Sequence, residues 1–359
     1  MIVHETGENL LELIATAGVV GAGGAGFPTH IKLDVKLTGG TVIANGVECE
    51  PVIGHNVYLL ENYPEKIIRG LQYAMEITGA TRGVLAVKAK NQRAAKGLAK
   101  AIRDRRLTIK MLPDIYPMGE ERALVREILG VLLQPQELPK QAGAVVSNVE
   151  TLMNISRAID EKRPIISKWI TLAGRLKEQK GPYYLEVPVG TPVTKILADH
   201  GGVNGEIGEI LLGGPFMGSR GTLDSIISKS TGGVLVTIPF PKEKRPLGLL
   251  VCACGADEFR LRQIAHDMGS EVVGVTRCKQ AFEVRERLKC ENPGKCPGQA
   301  GSISSLKKMG AKAVLLGTCS DCTNTAMGVA RKMDLTVYHH TDHVMRTMGI
   351  PLIRRFGRA

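Results

Sequence analysis

Cysteines are concentrated in the last third of this chain, which has 359 residues and eight cysteines, seven of them after residue 250. Cys319 and Cys322 form a C-x-x-C pair that we expect at the start of a helix, where the helix dipole lowers a thiol pKa and favours the thiolate. Such a pair either cycles between dithiol and disulfide or supplies two thiolates to a metal or cluster. This clustering favours redox or metal chemistry over a structural disulfide framework.

The other late cysteines are predicted to meet that pair at one edge of a sheet. Strands are expected at 247–252, 271–275, 313–317 and 335–338. Cysteines follow the first three of these strands, and chemistry in an open parallel sheet gathers beyond the carboxyl ends of its strands. The residues that we therefore predict as catalytic are Cys252, Cys254, Cys278, Cys319 and Cys322.

Other residues near these strand ends are weaker candidates. Cys290 and Cys296, in the turn-rich segment CENPGKCPGQ, are either a resolving pair or further ligands. His339 and His340 follow the fourth strand, whereas His343 is expected to face solvent on a helix.

A second feature with chemical potential is the glycine-rich segment GAGGAG at 21–26. Glycines lack a Cβ, so the backbone N–H groups of such a turn can approach a phosphate closely. A glycine run alone is a weak signal, because many loops are rich in glycine. Its meaning depends on the motifs that follow it.

The elements around these motifs predict three domains. Strands alternate with helices up to about residue 162, which predicts a Rossmann-like α/β domain over 1–162 with a mainly parallel sheet. Short, turn-rich strands with one helix at 193–200 predict a small β-rich domain over 163–240. Strict alternation returns over 245–359 and predicts a second α/β domain with a parallel sheet and with helices at 257–268, 279–289, 324–333 and 341–348.

Bulk composition narrows the class of protein. No apolar run approaches the roughly 18–20 residues that a membrane-spanning helix needs. The first residues show no signal peptide, so we expect a cytoplasmic protein without a transmembrane segment. The net charge is +12, but Lys and Arg are spread along the chain without a recognition motif, so nucleic-acid binding is not expected.

Four motifs carry a resemblance to a known family. They are GAGGAGFPTHIKL at 21–33, NGVECEP at 45–51, GEERAL at 119–124 and SNVETL at 147–152. In their order and spacing they resemble the flavin subunit of respiratory complex I and the RnfC subunit of the Rnf electron-transfer complex. The segment 165–240, with VPVGTPV and LLGGPFMG, resembles the β-grasp (SLBB) domain that follows in that family.

The resemblance implies an FMN cofactor that accepts hydride from NADH, with the glycines and Lys32 near the flavin phosphate. It implies that Asn45, Glu48 and Glu50 line the isoalloxazine and nicotinamide pocket. The implied cofactor-binding residues are Gly21, Gly23, Gly24, Gly26, Phe27, Lys32, Asn45, Glu48, Glu50, Gly119, Glu120, Glu121, Asn148 and Thr151. Val47 replaces an acidic residue of the complex I pattern, and Leu33 and Asp34 stand where an aromatic is usual, so FMN is favoured more than NADH.

The last segment resembles a narrower group. The ferredoxin-like C-x-x-C-x-x-C-x-x-x-C-P run of RnfC proteins is absent from the sequence, so an iron–sulfur cluster or zinc stays an alternative without motif support. GTCSDCTNT and YHHTDHVMRTMG resemble RnfC-like electron-transfer proteins associated with D-proline reductase in amino-acid-fermenting anaerobes. Some of those proteins carry selenocysteine, whereas this sequence has only cysteine.

The sequence as a whole predicts an electron-transfer flavoprotein, an NADH-dependent oxidoreductase component. Electrons would pass from NADH, or another low-potential donor, through FMN to the cysteine centre. From there they would reach a partner reductase such as D-proline reductase. The alternative is a non-catalytic scaffold or binding protein whose cysteines hold zinc.

Overall fold

The computed structural model describes residues 7–178 and 181–353, so the outermost parts of the predicted ranges 1–162 and 245–359 lie outside the described residues. Three sheets of four or five strands follow one another along the described residues, each with its own helices, and a two-stranded hairpin is added to the last of these units. The fold is mixed α/β with two parallel sheets, as predicted. Within the described ranges we find no helix that is both long and apolar enough to cross a bilayer.

The first unit is built on a four-stranded parallel sheet. Its strands are β1 (Thr41–Gly46), β2 (Arg82–Lys88), β3 (Leu107–Leu112) and β4 (Ala144–Asn148). Its helices are α1 (Gly7–Thr16), α2 (Thr29–Leu33), α3 (His55–Asn62), α4 (Pro64–Thr78), α5 (Gln92–Ala101), α6 (Glu121–Leu129) and α7 (Val149–Asp160). The strand order β3-β2-β1-β4 is the order of half a Rossmann fold, and it places the ends of β1 and β4 side by side.

Helix α4 shows why the sequence prediction works for this unit. Pro64 fixes the first helical turn, where its missing N–H is not needed, and Gly79 ends the helix in a left-handed conformation with φ of 71°. Ile67, Leu71 and Ala74 repeat at helical spacing and are fully buried against the sheet and α7.

The second unit is a five-stranded mixed sheet with one helix. Its elements are β5 (Ser167–Gly174), β6 (Tyr183–Pro188), α8 (Val193–Asp199), β7 (Glu209–Leu212), β8 (Ser219–Gly221) and β9 (Gly233–Thr237). The strand order is β6-β5-β9-β7-β8, and the two central strands β5 and β9 run parallel while the flanking pairs are antiparallel. This is the β-grasp topology that the sequence predicts.

The third unit has a four-stranded parallel sheet in the order β11-β10-β14-β15. Its strands are β10 (Leu247–Val251), β11 (Val272–Arg277), β12 (Ala281–Val284), β13 (Arg287–Cys290), β14 (Ala313–Gly317) and β15 (Thr336–His339). Its helices are α9 (Glu258–Met268), α10 (Ala300–Lys308), α11 (Ser320–Lys332) and α12 (Asp342–Thr347). We propose the three units as the domains of the chain.

The predicted helix over 279–289 is wrong, because β12 and β13 form an antiparallel hairpin there. The hairpin turns at Arg285 and Glu286, whose φ angles are 48° and 63°. Two successive left-handed residues make the kind of tight turn that joins twisted strands, and Asn-Gly or Asp-Gly is its usual sequence signal. Arg-Glu carries no such signal, so the charged, helix-compatible composition of the segment was misleading.

A buried ion pair joins the first two units. The ammonium group of Lys168 on β5 donates to the carboxylate of Glu150 on α7, and both side chains are only 1% exposed. Glu150 also accepts the backbone N–H of Trp169 at 3.0 Å, and Lys168 donates to the Trp169 carbonyl at 2.7 Å. The ammonium and carboxylate groups of the pair are thereby held in fixed positions by hydrogen bonds, as the burial of charge requires.

Replacing Lys168 with Met should lower the free energy of unfolding by about 3–5 kcal/mol, because Glu150 is left as an uncompensated buried charge. Lys66→Met is the matched control, since Lys66 and its partner Glu161 are both more than one-third exposed. Losing such a surface pair costs about 0–1 kcal/mol. Thermal and urea unfolding of both variants measure the difference, and equal losses would contradict the structural role of the buried pair.

Candidate functional site

The glycine-rich segment forms a compact loop between α1 and α2. Gly21 donates its N–H to the Phe27 carbonyl at 2.9 Å, and Gly26 donates back to the Gly21 carbonyl at 3.0 Å. The Ala22 N–H donates to the Thr151 hydroxyl at 2.9 Å, which anchors the loop to the first turn of α7. The loop is therefore fixed at its ends and at one point in its middle.

The tip of this loop is suited to hold an anion. Among the described residues, no group accepts a hydrogen bond from the backbone N–H of Gly23, Gly24 or Ala25, and all three residues are exposed. A Cβ on Gly23 would lie 3.2 Å from the amide nitrogen of Asn148, so a side chain there would crowd the loop. Free N–H groups on a glycine turn form a concave site for phosphate.

A chain of side-chain amides connects the loop to the NGVECEP motif. Asn148 caps α7 by accepting the Glu150 N–H at 2.8 Å, and its amide donates to Asn56 at 3.3 Å. Asn56 in turn donates to Glu48 at 2.7 Å. Burial raises the pKa of Glu48, although the hydrogen bond from Asn56 opposes that shift. Two of the predicted cofactor residues, Glu48 and Asn148, are thus brought into one network.

The GEERAL motif packs directly against NGVECEP. The Asn45 amide donates to the Gly119 carbonyl at 2.9 Å, and the Gly119 N–H donates to the Cys49 sulfur at 2.7 Å. Asn45 also accepts the N–H of Val47 at 3.1 Å. The predicted pocket residues of β1 and of the segment before α6 therefore form one continuous surface.

The two glutamates that follow Gly119 have different tasks. Glu120 caps α6, because its carboxylate accepts the N–H of Ala123 at 2.9 Å and the guanidinium of Arg122 at 3.2 Å. Glu121 forms an ion pair of 3.7 Å with Lys32, which brings that lysine of α2 beside α6. Phe27, one of the implied cofactor-binding residues, is 49% exposed at the loop.

Glu50 reaches into the second unit. Its carboxylate accepts the backbone N–H groups of Phe216 at 2.7 Å and Met217 at 2.9 Å, in the LLGGPFMG segment. Burial raises the pKa of Glu50 to about 8, against the lowering effect of these hydrogen bonds. Both oxygens are thereby engaged by the β-grasp loop, a role that the sequence did not suggest.

All eight cysteines meet in one cluster at the carboxyl edge of the third sheet. The prediction of one convergent group of cysteines therefore agrees with the observed packing. Two aromatic residues close the cluster, Tyr116 from the first unit and Phe216 from the second. The buried cysteines are Cys252, Cys254, Cys278, Cys290, Cys319 and Cys322, and the partly buried ones are Cys49 and Cys296.

Cys322 is the most connected thiol of this cluster. It lies among the sulfurs of its neighbours Cys252, Cys278, Cys296 and Cys319. These neighbours, together with burial, raise the pKa of Cys322, so the expectation that a helix N-terminus makes it a thiolate is wrong. The surrounding sulfurs and the loss of solvent outweigh the dipole of α11.

Cys290 and Cys296 have different neighbours within the cluster. The neighbour that most affects Cys290 is Cys254, and the neighbour that most affects Cys296 is Cys322. The adjacent sulfurs of Cys254 and Cys278 lower the pKa of Cys252.

Gln299 is a polar residue that the sequence did not single out. It is 1% exposed and its amide donates to the sulfurs of Cys278 and Cys322, both at 3.4 Å. Its carbonyl oxygen has no hydrogen-bond partner among the described residues. Within residues 7–178 and 181–353, no group of three or more His, Cys, Asp and Glu side chains has the arrangement needed to hold a metal ion.

The histidines beyond β15 are buried against Phe216. The rings of His339 and His340 lie 5.6 Å and 5.3 Å from the Phe216 ring, and His339 bonds the Thr318 carbonyl at 2.8 Å. The expectation of a solvent-facing His343 is wrong, since it is fully buried and bonds Glu209 at 2.6 Å. Its helix α12 packs on the β-grasp sheet, a contact between units that no local pattern reveals.

Cys49 is the functional candidate that sequence reasoning missed. It lies between Glu48 and Glu50 in the flavin-like motif, yet it packs against the same cluster as the cysteines of the third unit. Tyr116 stacks on Phe216 with ring centroids 3.7 Å apart, and together they cover the cluster beside Cys49. The available signal was that Cys49 is the one cysteine before residue 250 and stands inside a motif.

The raised pKa of Glu50 predicts a specific pH dependence. A carboxyl whose pKa rises from 4.5 unfolded to about 8 folded contributes stability that is complete below about pH 4.5 and lost as the pH rises through 8. The temperature at the midpoint of unfolding of the wild type should therefore decrease as the pH is raised from 5 to 8. Glu50→Gln should flatten that slope, whereas Glu206→Gln, at an exposed carboxyl, should retain it. An unchanged slope in Glu50→Gln would contradict the assignment.

Comparison with known proteins agrees with the arrangement of the first unit. The model of the Nuo51 FMN-binding domain matches residues 14–157. Cobalamin reductase PduS of Citrobacter freundii is 39% identical over 230 residues, which are 64% of this chain and 50% of that protein. The RnfC-type component of the Na(+)-translocating ferredoxin:NAD(+) oxidoreductase complex of Acetobacterium woodii is 35% identical, over 62% of this chain and 51% of that component.

The matched region spans about half the length of these curated relatives. Among solved structures, a chain of an air-oxidised NAD+-reducing NiFe hydrogenase superposes with a TM-score of 0.55 and 25% identity, covering 64% of this chain and 46% of that chain. Residues 14–157 therefore match the model of the Nuo51 FMN-binding domain, and the chain is similar to an RnfC-type subunit and to a cobalamin reductase, in agreement with the resemblance of its four motifs.

Proposed function

We propose that this protein is an electron-transfer flavoprotein that passes electrons from NADH, or another low-potential donor, by way of FMN to its thiol cluster. From the cluster the electrons reach a partner reductase. The observation that carries the proposal is the position of Cys49, which belongs to the flavin motif and also packs into the cluster of late cysteines. The proposed flavin site, where electrons enter, and the thiol cluster, where they leave, are therefore adjacent at Cys49.

The residues of the first unit fit FMN. Gly23, Gly24 and Ala25 present N–H groups that have no acceptor in the described part of the chain and are available for the phosphate, and Lys32 adds a positive charge from the adjoining helix. Asn45 and Glu48 are held by neighbouring amides along one side of the same surface. FMN, when bound, would supply hydride acceptance and onward electron donation, while the protein orients it and excludes competing reactions.

The exit side of the proposal rests on the cluster itself. Tyr116 and Phe216 cover the sulfurs on the side of the first two units, so two stacked rings lie over the cluster where it meets the flavin motif. Arg122 of α6 donates to the Cys290 carbonyl, and Arg126 of the same helix donates to the Pro293 carbonyl at 2.8 Å. The first unit thus contacts the third unit near Cys49 and through the arginines of α6.

The donor and the acceptor are proposed from resemblance. One relative is named as part of a ferredoxin:NAD(+) oxidoreductase complex and a structural neighbour as an NAD+-reducing hydrogenase, which supports a nicotinamide donor. The segments around Cys319 and His339 resemble proteins associated with D-proline reductase, and we propose that enzyme as the acceptor. Val47 stands where the complex I pattern has an acidic residue, so the use of NADH as donor is the first part of the proposal to test.

FMN binding can be tested through its phosphate. Lys32→Gln should weaken FMN binding about tenfold, because one charge-assisted contact of about 1.4 kcal/mol is lost. Binding of riboflavin, which has no phosphate, should not change. Lys36→Gln, an exposed lysine shortly after the same helix, is the control and should match the wild type for both ligands. Flavin fluorescence titrations measure the affinity of each of the three proteins for both ligands, and failure of the wild type to bind FMN would overturn the proposal.

Electron transfer from the thiol cluster to the acceptor can be tested in an anaerobic assay with purified D-proline reductase. NADH should bleach the flavin band of the holoprotein, and D-proline should then be reduced at the expense of NADH. Cys322→Ser should leave flavin bleaching intact and stop D-proline reduction, because the most connected thiol is removed. Stoichiometric zinc without flavin would instead support a scaffold, so metal content is measured on the same sample.

A further inference from the structure

We infer that Cys296, with Cys322 as its resolving partner, is the thiol that exchanges with an external acceptor disulfide. The C-x-x-C pair Cys319–Cys322 is not the exchanging couple. This inference rests on the proposed function, because it assigns the exit of the same thiol cluster. Three observations support it: the exposure of Cys296, the contacts of its sulfur and the position of the loop that holds it.

Access distinguishes Cys296 from the other cysteines of the third unit. Cys296 is partly exposed, in the loop between β13 and α10, whereas Cys319 is 2% and Cys322 is 3% exposed. An acceptor disulfide must approach the attacking sulfur along the line of its own bond, so a buried thiol is excluded from the first step. Cys319 lies at the N-cap of α11 and is buried, so its sulfur is not accessible to an acceptor disulfide.

The contacts of Cys296 favour a thiolate. Its sulfur accepts the Gly298 N–H at 3.3 Å and lies 3.0 Å from the Thr325 hydroxyl. The Gln299 amide lies 3.9 Å away. Hydrogen bonding from Cys322 lowers the pKa of Cys296 to about 6, against the opposing effect of burial. A thiol in this state is mostly the nucleophilic thiolate at neutral pH.

The loop is fixed over the start of α11, where Cys322 lies. The Cys296 N–H donates to the Asp321 carboxylate at 2.8 Å, which holds the backbone of Cys296 against the residue that precedes Cys322 in that helix. The Gln299 amide lies 3.4 Å from the Cys322 sulfur and 3.9 Å from the Cys296 sulfur, so both thiols face the same side chain within the cluster. The attacking sulfur and its resolving partner are therefore held near each other before any acceptor arrives.

The exchange is a two-electron transfer. The Cys296 thiolate attacks one sulfur of the acceptor disulfide, the acceptor S–S bond breaks, and one acceptor thiolate leaves. The Cys322 sulfur, after giving its proton to that thiolate, attacks Cys296 and displaces the second acceptor thiolate, which takes a proton from solvent. The protein dithiol becomes a Cys296–Cys322 disulfide, and the acceptor disulfide becomes two thiols.

The test uses flavin-free, dithiothreitol-reduced protein and the aromatic disulfide dithiobis(nitrobenzoate) as the acceptor, so failure of FMN binding leaves it unaffected. At pH 7 the wild type should show a fast phase about tenfold or more faster than its remaining thiols. That phase should release two thionitrobenzoates for each protein. Cys296→Ser should abolish the phase, and Cys319→Ser, a matched change in the same cluster, should retain it. A fast phase that survives in Cys296→Ser would overturn the inference.

The resolving step is tested with Cys322→Ser. This variant should release one thionitrobenzoate in the fast phase and retain the other as a mixed disulfide on Cys296, detected by peptide mass. Because Cys322 is buried and this variant can fail to fold, the wild type is also oxidised with one equivalent of diamide and mapped. A Cys296–Cys322 cross-link is the expected product. A Cys319–Cys322 or Cys290–Cys296 cross-link would refute the assignment.

Discussion

The thiol cluster at the carboxyl edge of the third sheet is the constraint on which the arrangement of the chain depends. A sheet cannot cover its own strand ends, so six buried cysteines there need cover from other elements. Tyr116 and Phe216 provide it, one from each of the first two units. Glu50 holds the Phe216 loop through two backbone N–H groups, so one carboxyl group of the flavin motif helps to keep this aromatic cover in place.

Buried charges fix the units that meet around this cluster. Glu209 of the β-grasp sheet accepts Arg260 at 2.9 Å and His343 at 2.6 Å, both from the third unit. Burial alone would raise the pKa of Glu209, but these partners hold it well below its usual value. A buried charge tolerates little displacement of its partners, since each lost hydrogen bond leaves it desolvated. Such pairs therefore orient the units more strictly than apolar packing would.

The sequence was most informative where local chemistry and chain order act together. Cysteines after successive strands predicted a shared location, because parallel strands bring their carboxyl ends to one edge. The same local reasoning was wrong for Cys322, whose pKa depends on sulfur neighbours from distant segments, and for the segment 279–289, whose turn at Arg285 and Glu286 has an uncommon composition. In both cases the deciding interactions are absent from the local sequence.

By itself, the sequence determined the α/β alternation, the glycine loop, the four ordered motifs and the gathering of late cysteines, since each follows from spacing along the chain. Only the tertiary structure decided that Cys49 joins that cluster, that Glu50 holds the β-grasp loop and that Cys296 is partly exposed while the other late cysteines are buried. The physical reason is that exposure, hydrogen bonding and thiol pKa are set by whatever packs on a residue. Those neighbours come from segments far apart in the chain.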